Sequence, residues 1–69
     1  MQMIPVDSET VRSVGYDARS RVCRVAFRSG GTDEYVGVPL HVYEAMLMPH
    51  PWRRVGRLVR AHRYRRIAA

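Results

Sequence analysis

The sequence RVCRVAFRSGGTDEYVGV, residues 21–38, carries the clearest fold signal in this chain of 69 residues. Its first half alternates in character, and the residues that share the apolar face are Cys23, Val25 and Phe27. Gly30 and Gly31 follow, and two consecutive glycines adopt positive φ without steric cost. Residues 32–38 then resume an extended pattern. The stretch predicts a β-hairpin with one face turned toward a core.

The segment before this hairpin adds another strand. Residues 11–17 are extended in character, and residues 17–20, Asp-Ala-Arg-Ser, predict a turn. Three strands joined in this way form an antiparallel meander, which needs an apolar cover to be stable in water. Residues 1–10 show no period and contain Pro5, so they are interpreted as an N-terminal tail or an approach to the first strand.

Two helices are predicted to supply that cover. Pro39 suits the first position of a helix over residues 40–48, and Pro49 and Pro51 end it. A second helix is predicted from Trp52 to about Tyr64. The prediction is therefore an α+β fold: a three-stranded antiparallel β-meander followed by two α-helices packed on one face, with a single domain over residues 11–67.

The second predicted helix has two faces when it is drawn at 100° per residue. One side is mainly apolar and comprises Trp52, Val55, Leu58, Val59 and His62. The opposite side comprises Arg53, Arg57, Arg60 and Tyr64, with Arg54 and Arg63 beside it. A charged outer face is common on surface helices, but such faces normally mix both signs.

Charge is divided unevenly along the chain. Residues 1–44 hold all six acidic residues and five arginines, whereas residues 45–69 hold seven arginines and no acid. The two parts therefore carry net charges of −1 and +7, and this asymmetry favours a polyanionic partner. The predicted contacts to phosphates or to acidic groups are Arg53, Arg54, Arg57, Arg60, Arg63, Arg65 and Arg66, joined by Tyr64. Trp52 and Tyr35 are candidates to stack on bases or to anchor a partner.

The sequence gives little support for an enzymatic function. Cys23 has no neighbouring histidine in sequence, and the three histidines match no common metal-ligand spacing. Asp33 and Glu34 are adjacent on a strand, so they point to opposite faces and are interpreted as hairpin solubilisers. We therefore expect a non-enzymatic protein without cofactor or metal.

Cellular location is predicted from cysteine usage and hydropathy. A single cysteine precludes an internal disulfide and suits a reducing compartment. No apolar segment approaches the length that spans a bilayer. We expect a cytoplasmic protein with no membrane partner.

The order and spacing of several short motifs resemble those of KTSC domains, named for the C-terminal extension of some lysyl-tRNA synthetases. The matching segments are Val6-Asp7-Ser8, residues 11–17, Gly30-Gly31, residues 35–39, Val42-Tyr43-Glu44, Val59-Arg60 and residues 64–67. The resemblance implies a KTSC-like α+β domain and a suspected RNA-binding role. Two positions depart from the family pattern. Asp33 stands where the family has the first tyrosine of Tyr-x-Tyr, and His50-Pro51-Trp52 replaces Ser-x-Gly.

Two functions remain open from the sequence. The first is binding of RNA or single-stranded nucleic acid through the arginine-rich C-terminal helix. The alternative is a small protein–protein regulator that docks its basic face on an acidic surface of a larger machine, such as RNA polymerase or a translation factor, and is host- or phage-encoded. Exposure of Trp52, Met46 or Met48 would favour a protein partner. Exposure of Tyr35 and Tyr64 on one surface would favour stacked bases.

Overall fold

The chain folds into one antiparallel five-stranded sheet and two helices, and the computed structural model describes all residues 1–69. The strands follow one another across the sheet in sequence order. The elements are β1 (Ile4–Pro5), β2 (Val11–Asp17), β3 (Val22–Phe27), β4 (Thr32–Tyr35), α1 (Leu40–Met46), α2 (Pro51–Arg60) and β5 (Tyr64–Ala68).

The hairpin predicted from residues 21–38 is the centre of the sheet. Strands β3 and β4 pair with Cys23 opposite Tyr35 and Val25 opposite Asp33. Gly30 and Gly31 form the turn with φ of 101° and 85°, values that few residues other than glycine adopt. Strand β2 pairs antiparallel with β3, so the predicted meander is present as β2, β3 and β4.

The sheet has two strands that the sequence did not predict, and the larger one is β5. The second helix was predicted to reach Tyr64, but α2 ends at Arg60. Residues 64–68 leave the helix and pair with β4, where Tyr64 lies opposite Tyr35. The helical pattern continues through residues 61–64 without a glycine or a proline. Pairing with the open edge of β4 therefore overrides local helix propensity.

The other unpredicted strand is β1, a two-residue segment within the region interpreted as a tail or an approach. Ile4 lies opposite Val14 on β2, and the Val6 amide donates to the Arg12 carbonyl oxygen at 3.2 Å. The Val6 side chain is buried. A strand this short contains no complete alternation of side chains, so the sequence carried no signal for it.

Both predicted helices are present, and a tight corner joins them. Helix α1 ends at Met46, two residues earlier than predicted, and α2 begins at Pro51. His50 adopts a left-handed conformation with φ of 57°, and its amide donates to the Asp7 carbonyl oxygen at 2.8 Å. The corner is thereby fixed to the N-terminal segment.

The core lies between the two helices and one face of the sheet. It combines sheet residues such as Val14, Cys23 and Val25 with Val42 and Met46 of α1. Helix α2 contributes Val59, which is fully buried, whereas its neighbour Leu58 is 52% exposed despite its place on the predicted apolar side. Neither helix combines the length and apolarity that crossing a bilayer requires.

Candidate nucleic-acid interface

Five exposed arginines lie on α2 or just after it, and we call this set the arginine ridge: Arg53, Arg54, Arg57, Arg60 and Arg63. All five are exposed, and none makes an ion pair. Two of them bond to local backbone, since Arg54 Nε donates to the Pro49 carbonyl oxygen at 3.0 Å and Arg60 Nε to that of Gly56 at 3.2 Å. Their remaining guanidinium N–H groups are free to bind an anion.

A groove follows the ridge along the helix surface. It encloses about 390 Å³ and is lined by Trp52, Arg53, Arg54, Arg57, Leu58 and Arg60. Four of these six side chains are arginines. Such a groove can hold a phosphate between guanidinium groups, with an aromatic ring at one end.

Arg65 and Arg66, which the sequence grouped with the ridge, lie on β5 and make ion pairs. Arg65 donates to Glu34 Oε1 from Nε at 3.3 Å and from Nη2 at 3.1 Å. Arg66 donates from Nε to Asp33 Oδ1. Because adjacent residues of a strand point to opposite faces, the two arginines lie on opposite sides of the sheet. Their charges are partly balanced, unlike those of the ridge.

The acidic partners of these arginines are not the solvent-facing hairpin residues that the sequence suggested. The side chains of Asp33 and Glu34 are only 6% and 8% exposed. They do face opposite ways, but β5 covers the edge of β4 and brings an arginine to each. The unpredicted strand therefore explains why the interpretation as solubilisers is wrong.

Electrostatics around the two acids follow from these pairs. Hydrogen bonding by Arg24 is the main influence that holds the pKa of Glu34 below its ordinary value, with Arg65 adding to it against the effect of burial. On the other face, the hydrogen bond to Asp33 raises the pKa of Arg66 above its ordinary value. Glu34 and Arg66 are therefore both held in their charged forms at neutral pH.

A second concavity, the aromatic cleft, lies between the β3–β4 turn and α2. It encloses about 610 Å³ and is lined by Phe27, Ser29, Gly30, Asp33, Tyr35, Trp52, Arg60, Arg66 and Ala69. The Trp52 ring meets Phe27 edge to face, with ring centres 5.3 Å apart. The Arg60 guanidinium lies over the Trp52 ring, 5.4 Å from its centre. This cation–π contact joins the cleft to the arginine ridge.

The candidate stacking residues differ in accessibility. Tyr64 is 58% exposed, whereas Tyr35 is 4% exposed, with their ring centres 5.6 Å apart. Burial is the main cause that raises the pKa of Tyr35 to about 12. Trp52 is half-buried and borders the aromatic cleft and the ridge groove. Tyr64 and Trp52 therefore retain surface for a ligand, while Tyr35 contributes mainly to the cleft wall.

The cleft brings together residues that sequence reasoning left apart. Phe27 and Asp33 were assigned to the core and to the surface, yet both line the cleft beside Arg66. The one sequence signal was Asp33 itself, which departs from the Tyr-x-Tyr pattern. Elsewhere, no three His, Cys, Asp or Glu side chains are grouped as metal ligands would be.

Comparison with known proteins identifies similar chains. The sequence profile of the KTSC domain matches residues 7–49. An uncharacterized protein of Stutzerimonas stutzeri (strain A1501) is 36% identical over 47 residues, which are 68% of this chain and 66% of that protein. The match thus spans just under two thirds of that relative. The crystal structure of a KTSC domain protein from Yersinia pestis matches with a TM-score of 0.86, 29% identity and 96% coverage of both chains. That similarity extends past residue 49.

Proposed function

The chain belongs to the KTSC domain family, and from that starting point we propose that it is a non-catalytic module that binds RNA or single-stranded nucleic acid through the arginine ridge. The single observation that carries this proposal is that the five exposed ridge arginines, four of which line one groove, have no acidic partner. Acids are available in the fold, but Asp33 and Glu34 are committed to Arg24, Arg65 and Arg66.

Phosphate binding explains why such a surface would be useful. Guanidinium groups contact phosphate oxygens in a bidentate manner and release the counterions condensed on the nucleic acid. Trp52 lines the ridge groove, and the exposed Tyr64 follows Arg63 directly in sequence, so both offer aromatic rings to unpaired bases. Stacking of this kind contributes about 1–3 kcal/mol per base and depends little on sequence.

The test is a fluorescence-anisotropy titration of labelled single-stranded RNA across a salt series. If all five ridge arginines contact phosphates of the single strand, the slope of log K against log salt will be about −3.5. An equally long polyglutamate peptide serves as competitor. Binding that resists this peptide supports a nucleic-acid site, and equal competition would contradict it.

A matched pair of variants locates the site. Arg53→Glu/Arg57→Glu reverses two charges on the ridge and is expected to abolish binding. Arg12→Glu/Arg19→Glu makes the same charge change on exposed residues of β2 and of the turn that follows it. Equal losses in the two folded variants would mean attraction by net charge alone, and unchanged affinity in the ridge variant would exclude the ridge as the site.

The alternative proposal is a regulator that docks on an acidic protein surface. Its specific support is exposed apolar surface, because Leu58 lines the ridge groove and Met48, in the corner before α2, is 53% exposed. Met46, by contrast, is fully buried. A Leu58→Ser variant separates the two functions. Loss of an apolar anchor weakens a protein interface but leaves phosphate contacts intact. RNA affinity unchanged by Leu58→Ser supports the nucleic-acid reading.

A further inference from the structure

The aromatic cleft contains a hydrogen-bond acceptor that the protein itself does not use. Arg66 Nε donates to Asp33 Oδ1, and no donor bonds to Asp33 Oδ2. The Asp33 side chain is 94% buried, since its exposed fraction is 6%, yet no buried side-chain polar atom in the structure lacks a partner. Oδ2 must therefore reach solvent, and Asp33 is one of the residues that line the cleft.

The ion pair also places donors beside this acceptor. The Arg66 side chain is 55% exposed, and only its Nε hydrogen is committed to Asp33. Its guanidinium rests against the backbone of Gly31, which has no side chain to exclude it. The ion pair therefore offers the cleft guanidinium N–H donors beside carboxylate acceptors.

That arrangement resembles the pairing edge of cytosine, which carries an amino donor next to two acceptors. Guanine has the complementary edge, because its O6 accepts while N1–H and N2–H donate. Adenine presents a donor and an acceptor in the reverse order and lacks the N2 amino group. Inosine keeps O6 and N1–H but lacks that amino group as well.

The walls of the cleft suit the rest of such a ligand. Phe27 and Trp52 supply aromatic surface against which a planar base packs. Arg60 lies at the junction with the ridge groove and is positioned for the phosphate that follows the base. We propose that the aromatic cleft binds a guanine base of single-stranded RNA, with the free Asp33 Oδ2 accepting from its N1–H and N2–H through its two lone pairs and Arg66 donating to its O6. This deepens the proposed function and rests on it.

The experiment uses the unaltered protein and labelled uridine oligonucleotides of equal length that differ at one central base. Guanosine at that position is expected to bind roughly tenfold tighter than adenosine, with inosine between them. Equal affinity for the three RNAs would overturn the guanine site while leaving the ridge function intact. Failure of every RNA to bind would overturn the ridge function.

Binding of a nucleotide in the cleft can be measured without RNA through the fluorescence of Trp52, because Trp52 is the only tryptophan of the chain. Saturable quenching of its fluorescence by GMP but not by AMP, corrected with free N-acetyltryptophanamide, supports the cleft even if no RNA binds. Equal quenching by GMP and AMP would overturn the guanine site.

Asp33→Asn then tests the acceptor. Asparagine keeps the shape but replaces one acceptor with a donor, so the guanosine preference should disappear while affinity for adenosine RNA is retained. Retained preference in the folded variant would overturn the assignment. If this variant does not fold, the comparison of guanosine, inosine and adenosine RNAs on the unaltered protein still decides whether the cleft recognises guanine.

Discussion

Arg24 faces Glu34 across β3 and β4 and donates two hydrogen bonds to its Oε2, from Nε at 3.0 Å and from Nη2 at 2.7 Å. Arg65 binds the other carboxylate oxygen from the opposite strand. One carboxylate therefore ties together β3, β4 and β5. Its charge is needed for all of these contacts, which makes the sheet sensitive to acid.

Acidification should weaken the fold through Glu34. Because folding lowers the pKa of Glu34 from 4.5, its contribution is present above that value and is lost as pH falls through the folded pKa. Urea unfolding from about pH 7 to about pH 3 measures it. Glu34→Gln should be less stable at neutral pH and should lose less stability on acidification. Glu44→Gln, at an exposed residue without an ion pair, is the control. Parallel profiles for Glu34→Gln and the unaltered protein would contradict the role of Glu34.

Gly31→Ala should cost more stability than Gly30→Ala. Both residues have positive φ, so each alanine carries backbone strain of about 1–2 kcal/mol. A Cβ at Gly30 meets nothing within 4 Å, whereas one at Gly31 collides with the Arg66 guanidinium. We expect about 1 kcal/mol of additional loss for Gly31→Ala, measured by urea unfolding. Equal losses would mean that Arg66 moves aside at no cost.

Tyr16→Phe should remove one hydrogen bond without removing a packing contact. The Tyr16 hydroxyl donates to the Val38 carbonyl oxygen at 2.6 Å, and its ring stacks on Tyr43 with centres 4.9 Å apart. The expected loss is about 0.5–1.5 kcal/mol of unfolding free energy. Tyr64→Phe provides the comparison, since the exposed Tyr64 hydroxyl makes no hydrogen bond within the protein. If both changes have the same effect, the bond to Val38 contributes nothing measurable.

Cys23 should be inert in the folded protein. Burial raises the pKa of its thiol to about 12, so little thiolate forms at neutral pH and the sulfur is covered by the core. Iodoacetamide is expected to label Cys23 at the rate of unfolding, and rapidly once urea is added. Mass spectrometry monitors the labelling. Fast labelling without denaturant would show that this part of the core opens locally.

The central meander and both helices could be predicted because their signals are local. Alternation around Val25, the two glycines of the turn and the prolines near the helix ends each act within a few residues. The strand at Tyr64 could not be predicted, because it depends on the open edge of β4, far away in sequence. The same contact decides the candidate site. It removes Arg65 and Arg66 from the unpaired arginines and converts Asp33 from a surface residue into a wall of the cleft.

The position of β5 also has a consequence for the order of folding. Strands β2, β3 and β4 are joined by short turns, whereas β5 reaches β4 only after both helices have intervened. Local contacts form faster than distant ones, so we expect the meander to assemble early and β5 to dock late. Until then Asp33 and Glu34 have no partner from β5. Weakening β5 should therefore speed unfolding while leaving the folding rate nearly unchanged.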